Sequence, residues 1–192
     1  MHYVTVPSCC HPEDADMAIP ALDHRVELDD TELAVLIGLF RQRPSHRGAV
    51  LEAARASLLR RGLVQVRNSE LHLPTPLLAA LLPIAVPTIA LTSEGHDASA
   101  SLLGGIQGDR AGLAVQRGRR WTVWAAATHE LGDILANALP DEAHLLRMTG
   151  PAERGRVIGV ELTIEELRSD PGLLDRVLRE PPLSKTGPGA AE

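Results

Sequence analysis

The sequence predicts an α+β fold: a helical and hairpin section first, then an antiparallel meander of about four to five strands flanked by helices. Three observations carry that expectation. Apolar residues recur at helical spacing between residues 28 and 82. The period changes to strand-like runs after Pro87, and short Gly-containing turns separate those runs.

The first element starts at Leu28-Asp29-Asp30-Thr31-Glu32-Leu33. Asp29 fits an N-cap, Glu32 sits at N3, and Leu28 with Leu33 forms a hydrophobic staple. Leu33, Leu36, Ile37 and Phe40 follow on one face, and Pro44 closes the segment. A second helix spans about Arg47 to Arg61, with Val50, Leu51, Ala54, Leu58 and Leu59 inward and Gly62 at the left-handed C′ position. Leu63 to Val66 and Leu71 to Leu73 alternate around Asn68-Ser69, which reads as a hairpin. Thr75 as cap and Pro76 at the first turn open a third helix carrying Leu77, Leu78, Leu81 and Leu82, and Pro83 breaks the apolar stretch.

Strands are then expected at Thr88–Leu91, Ser99–Gln107, Leu113–Gln116 and Trp121–Ala126, with turns at Gly108-Asp109-Arg110 and Arg117-Gly118-Arg119. Alternation across residues 121–126 puts Trp121 and Trp124 on opposite faces of the sheet. Thr128 is read as the cap of a helix through Leu139, stopped by Pro140. Arg156–Leu162 is a fifth strand, Thr163 and Glu166 form a capping box, and a last helix covers about Pro171 to Arg179. Residues 1–24 read as an N-terminal arm, with a short strand at Tyr3–Val6. Residues 25–180 read as one domain and 181–192 as a disordered tail.

Composition narrows the function classes. The chain has 192 residues (20.6 kDa), 44% apolar and 23% charged, which is globular usage. It has 30 Leu and 25 Ala but only four aromatics, so stacking platforms for single-stranded nucleic acid are scarce. A net charge of −6 gives no global attraction to phosphate backbones or anionic lipid. The one lysine, Lys185, lies in the Gly/Pro-rich tail, which speaks against Schiff-base or Walker-type chemistry. Two adjacent cysteines, Cys9 and Cys10, make no disulfide framework, and no signal-peptide or membrane-spanning pattern is visible. The expectation is a cytoplasmic protein with no membrane contact.

Candidate chemistry is thin. Cys9-Cys10-His11 invites a metal, but vicinal cysteines chelate one zinc poorly and no second pair completes a tetrahedron. His129-Glu130 resembles the start of a metalloprotease motif, yet position 133 is Asp; Glu130 and Asp133 are carboxylates suited to a helix N-terminus. Gly104, Gly105 and Gly108 form no phosphate-binding fingerprint, and Ser57, Ser69 and Ser93 lie in no nucleophile elbow. No catalytic, cofactor or metal residue is assigned, and the expectation is a protein that is not an enzyme. Arg41–Arg67 holds seven arginines and one acid, Glu52. Helix, helix and hairpin in that order match a winged helix-turn-helix, with Arg60 and Arg61 as first candidates for phosphate contact. The competing reading is a solvated cationic face balancing the eight acids between Glu13 and Glu32. It is preferred because Glu52 and Ser57 are the helix's main polar groups for reading bases.

Five pieces in order resemble the EspG-type secretion-associated chaperones of the actinobacterial type VII (ESX) system. They are Val26–Leu33, Leu59-Arg60-Arg61-Gly62-Leu63-Val64, the Leu77–Leu82 helix leading through Pro83 and Pro87 into a strand, Gly108–Ala114 before the two tryptophans, and the helix ending Ala138-Leu139-Pro140. The resemblance covers about residues 24–180, mainly the family's N-terminal half to two-thirds. It implies a twisted antiparallel sheet flanked by helices, no catalysis, and binding of PE–PPE-like secreted proteins at their hydrophobic tip to hold them soluble for export. It assigns no partner-binding residue to this chain. The family's sheet is built from two similar halves, and this chain ends where the second would be getting under way. The open edge calls for a partner protein or a second copy. A homodimer pairing through the strand 156–162, with Val157, Ile158, Val160 and Leu162 as its apolar content, is the expectation, against a monomer whose arm at Tyr3–Val6 covers that edge itself. The alternative function is a winged-helix-like DNA-binding regulator.

Overall fold

The computed structural model describes residues 25–41, 49–67, 70–94, 100–139, 145–153 and 156–179. The expected arm at 1–24, the Cys9-Cys10-His11 cluster and the tail at 181–192 lie outside them. The fold is α+β. Its centre is a seven-stranded, wholly antiparallel sheet of β1 (Val26–Asp29), β4 (Ile89–Glu94), β5 (Ala100–Gln107), β6 (Arg110–Arg117), β7 (Arg120–Ala127), β8 (Leu145–Glu153) and β9 (Arg156–Leu162), in the order β1-β7-β6-β5-β4-β8-β9. On one face lie α1 (Asp30–Phe40), α2 (Ala49–Arg60), the hairpin of β2 (Gln65–Arg67) and β3 (Glu70–His72), and α3 (Thr75–Ala85). On the other lie α4 (Leu131–Ala138), α5 (Ile164–Ser169) and α6 (Gly172–Arg179).

The meander forms as the alternation predicts. Ala111, Leu113 and Val115 of β6 face the α4–α6 side, and Gly112 and Ala114 face the α1–α3 side. Trp124 joins the first core and Trp121 packs on the second, so one tryptophan does face each side. Two-residue turns with Gly108 at φ 63° and Gly118 at φ 63° join β5 to β6 and β6 to β7; only glycine enters that region without strain.

Several expectations need correction. The sequence reading put the first element at Leu28, but residues 26–29 form β1, a sheet edge paired with β7 (Val26 opposite Val123). Four residues are too few to show a period. β8 was missed because Gly150-Pro151 reads as a break; it pairs with β4 (Leu91 opposite Met148), carrying the sheet past the meander. Pro74, not Thr75, occupies the cap position of α3, at φ −55° and ψ 138°, and no side chain caps it. α3 also continues through Pro83 to Ala85, where Val86 N–H donates to Leu82 O at 3.0 Å. Thr128 is no helix cap either. It begins a 3-10 turn, and its N–H donates to Asp109 O at 3.0 Å, tying the end of β7 to the β5–β6 turn.

α3 lies on the sheet closer than side chains allow. Gly105 and Gly112 are directly paired across β5 and β6, and Ala125 continues their row on β7. A Cβ on Gly105 would stand 1.9 Å from Pro83 O, and one on Gly112 would stand 1.9 Å from Ala80 O. The helix backbone itself therefore rests on the two glycines. Gly132 of α4 meets Pro171 O in the same way, at 1.9 Å from an added Cβ. Substituting Gly112→Ala is expected to cost at least about 1–3 kcal/mol through forced backbone displacement. Gly159→Ala, where an added Cβ meets nothing within 4 Å, is expected to stay within about 0.5 kcal/mol of wild type. Urea unfolding of both variants beside the wild type checks this; equal midpoints for all three would refute it.

Candidate protein-binding surface

The features with the chemistry to recognise another molecule lie on the α1–α3 side. Their anchor is Glu32. Asp29 caps α1 by accepting from Glu32 N–H at 2.7 Å, and the Glu32 carboxylate accepts from Asp29 N–H at 3.1 Å, completing the expected capping box. Glu32 is 2% exposed, the one buried charged residue among those described. Arg61, at the end of α2, reaches it at 2.6 Å and also donates to Glu27 O on β1. One carboxylate thus ties α1, α2 and the sheet edge together. Burial pushes the Glu32 carboxyl up. Hydrogen bonds from the Ser57 and Arg61 side chains and the Asp29 backbone, with the Arg61 charge, outweigh that and hold it below the usual range.

Held by this tie, α1, α2 and the hairpin leave an apolar groove of about 300 Å³ between them. Val35 and Leu39 of α1, Leu58 and Leu59 of α2, Val64 just before β2 and Leu71 of β3 line it, with Arg55 of α2 as its one charged wall. In its wall Leu59 is 46% exposed; Val66, paired with Leu71, is 57% exposed, and Val50, at the other end of α2, 68%. A second apolar stripe, Leu78, Leu82 and Val86, runs at intervals of four along the outer face of α3 and into its C-terminal residue. Such contiguous exposed apolar surface marks interaction sites in water-soluble folds.

Among the described residues, the arginines of the 41–67 segment are largely engaged by the fold. Arg41 Nε donates to Ala85 O at 3.0 Å, Arg55 pairs with Glu52 at 2.9 Å, Arg61 is bound to Glu32, and Arg67 donates to Gln65 at 2.8 Å. Arg60 is exposed at the end of α2. His129 stands exposed in the 3-10 turn, 4.0 Å from Glu130, and Asp133 faces a separate cleft under α4. Among the described residues no three His, Cys, Asp or Glu side chains gather as a metal site, and no helix is long and apolar enough to cross a membrane. Of the groove residues, the sequence reading places Leu58 and Leu59 on an inward helix face and Val64 and Leu71 in the hairpin, and it does not single out Val35 or Leu39. Leu59 and Val50, expected inward, stand exposed, because helical spacing cannot tell a covered apolar face from an open one. No protein-family model matches the chain, and no curated protein matches it.

The tie at Glu32 has a pH signature. Its folded carboxyl lies below the unfolded value, about 4.3, so its stabilisation is present in full above that value and is lost as pH falls through the folded one. Glu32→Gln is expected to cost about 1–3 kcal/mol at pH 7. The lower half of that range is expected, because Arg61 stands 39% exposed and water screens it. The gap to wild type closes as pH drops below about 4. Urea unfolding of both proteins across that range checks this; a gap independent of pH refutes the account of Glu32.

Proposed function

We propose that the chain is a non-enzymatic chaperone or adaptor of the type VII secretion kind, acting in the cytoplasm. It binds a hydrophobic secreted protein, PE–PPE-like or equivalent, and keeps it soluble for export. One observation carries the reading: the largely apolar groove between α1, α2 and the hairpin, with half-exposed Leu59 in its wall. An amphipathic helix laid in such a groove buries anchors at i, i+3, i+4 and i+7 against it. The resemblance drawn from the sequence supports the same reading by an independent route. Co-expression with PE–PPE-type substrate pairs tests it. The wild type is expected to hold a pair in the soluble fraction, and Leu59→Glu to weaken the purified complex by about 30-fold or more, the loss of one anchor worth about 2 kcal/mol. Leu59 is half-exposed, so the variant keeps its fold by circular dichroism. Substrates that stay insoluble beside the wild type sink the reading.

A homodimer belongs to the same proposal. β9 is the outermost strand on its side of the sheet, so its outer backbone groups meet no other strand among the described residues. Pairing β9 with its symmetry copy continues the sheet across a twofold axis. Light scattering at micromolar concentration is expected to give twice 20.6 kDa; a mass of one chain over a wide concentration range excludes the dimer. The alternative, a winged-helix-like regulator, draws on the order α1, α2, β2, β3 and on exposed Arg60. Submicromolar mobility-shift binding to a defined duplex at physiological salt, lost in Arg60→Ala, decides for it.

A further inference from the structure

The α4–α6 helices leave the β1–β7 margin of their face partly open. There a cleft of about 350 Å³ runs between α4 and the sheet, away from the groove described above. Its floor is apolar: Trp124, Val115 and Ile134. Two arginines line it, Arg25 and Arg117, with one acid, Asp133. Arg117 donates to Ala138 O at 3.1 Å. Arg25 lies over the Trp124 ring, 5.2 Å from its centroid, and has no carboxylate partner among the described residues. Trp124, which lines the cleft, has its Nε1 buried with no hydrogen-bond partner among the described residues. The cleft therefore joins an apolar floor, an excess of positive charge and an unsatisfied donor.

The chain itself enters the described fold at this point, since Arg25 is both the residue before β1 and a wall of the cleft. Upstream, beyond His24, the sequence reads Glu13-Asp14-Ala15-Asp16-Met17-Ala18-Ile19-Pro20-Ala21-Leu22-Asp23. That stretch holds four acids, no basic residue, and three sizeable apolar side chains, Met17, Ile19 and Leu22. We propose that the cleft between α4 and the β1–β7 margin is the docking site of the chain's own residues 13–22. Met17, Ile19 and Leu22 supply the apolar contact, and the acids meet Arg25 and Arg117. Tethering favours this occupant over any free one. Met17 is eight residues from Arg25, a reach of at most about 29 Å, and so short a link presents the segment at a millimolar effective concentration. This proposal stands apart from the chaperone reading, which rests on the opposite face of the sheet.

Hydrogen exchange on the full-length chain tests it. In the wild type the amides of residues 17–22 are expected to exchange at least tenfold more slowly than in a free peptide of residues 11–24. Arg25→Glu removes the unpaired cation. Asn137→Glu sets a negative charge on the opposite wall at an exposed helical position. Each variant is expected to return those amides to within twofold of the peptide's rates, and raising salt to 1 M to shift the wild type the same way. Circular dichroism confirms that both variants keep the fold. Peptide-like rates in the wild type overturn the proposal, as does protection that neither variant reduces. Protection that grows with protein concentration also overturns it, because it assigns the cleft to a second copy.

Discussion

The contact of a helix backbone with two paired glycines sets the geometry of this protein. Gly105 and Gly112 stand side by side on the two central meander strands, and α3 rests on them through Pro83 O and Ala80 O. No side chain fits between. That approach fixes the height of α3 over the sheet and buries Leu77, Leu81 and Ile84 at 0–1% exposure. It also fixes where α1 and the α2–hairpin unit can lie, since they pack onto the same core. It explains why α3 runs through Pro83. Proline inside a helix forfeits one backbone hydrogen bond, but here the last turn is held from outside by the sheet.

The two sides of the sheet are built differently from this common centre. The α4–α6 side is a continuous aliphatic core from Leu131 to Leu174, with its own close approach at Gly132 and Pro171 O. The α1–α3 side is held by packing and by one buried carboxylate, Glu32, which joins three elements. Concentrating the tie in one residue leaves α2 and the hairpin with few other constraints toward the sheet. Only Ala54 and Leu58 of α2 are buried. The groove and its half-exposed Leu59 follow from that sparse attachment.

Much of the fold was legible because its signals are local. Both capping boxes, Asp29 with Glu32 and Thr163 with Glu166, join residues three apart, and both formed. Gly62 at φ 69° ends α2 as its place after Arg60-Arg61 implied. The Gly108 and Gly118 turns and the opposite faces of Trp121 and Trp124 follow from the strand period of two. Thr75 and Thr128 misled because a capping residue type also suits other tasks; Thr128 bonds Asp109, nineteen residues away. The groove was half legible. Leu58 and Leu59 read as the apolar face of the second helix and Val64 and Leu71 as hairpin residues, but Val35 and Leu39 were not singled out, and exposure depends on what the rest of the chain leaves uncovered.

By itself the sequence determined most of the element types, the aliphatic make-up of the core and the acidic balance of the chain. These rest on neighbours within a few residues or on totals over the chain. Only the tertiary structure decided that β1 closes one edge of the sheet against β7 and that β8 carries it past β4 toward β9. The same holds for Gly105 and Gly112 as the seat of a helix, and for Arg61 as a bond to Glu32 rather than a free cation. The physical reason is shared. Each of these outcomes depends on backbone or charged groups far apart in sequence, and no periodicity records which distant partner will satisfy them.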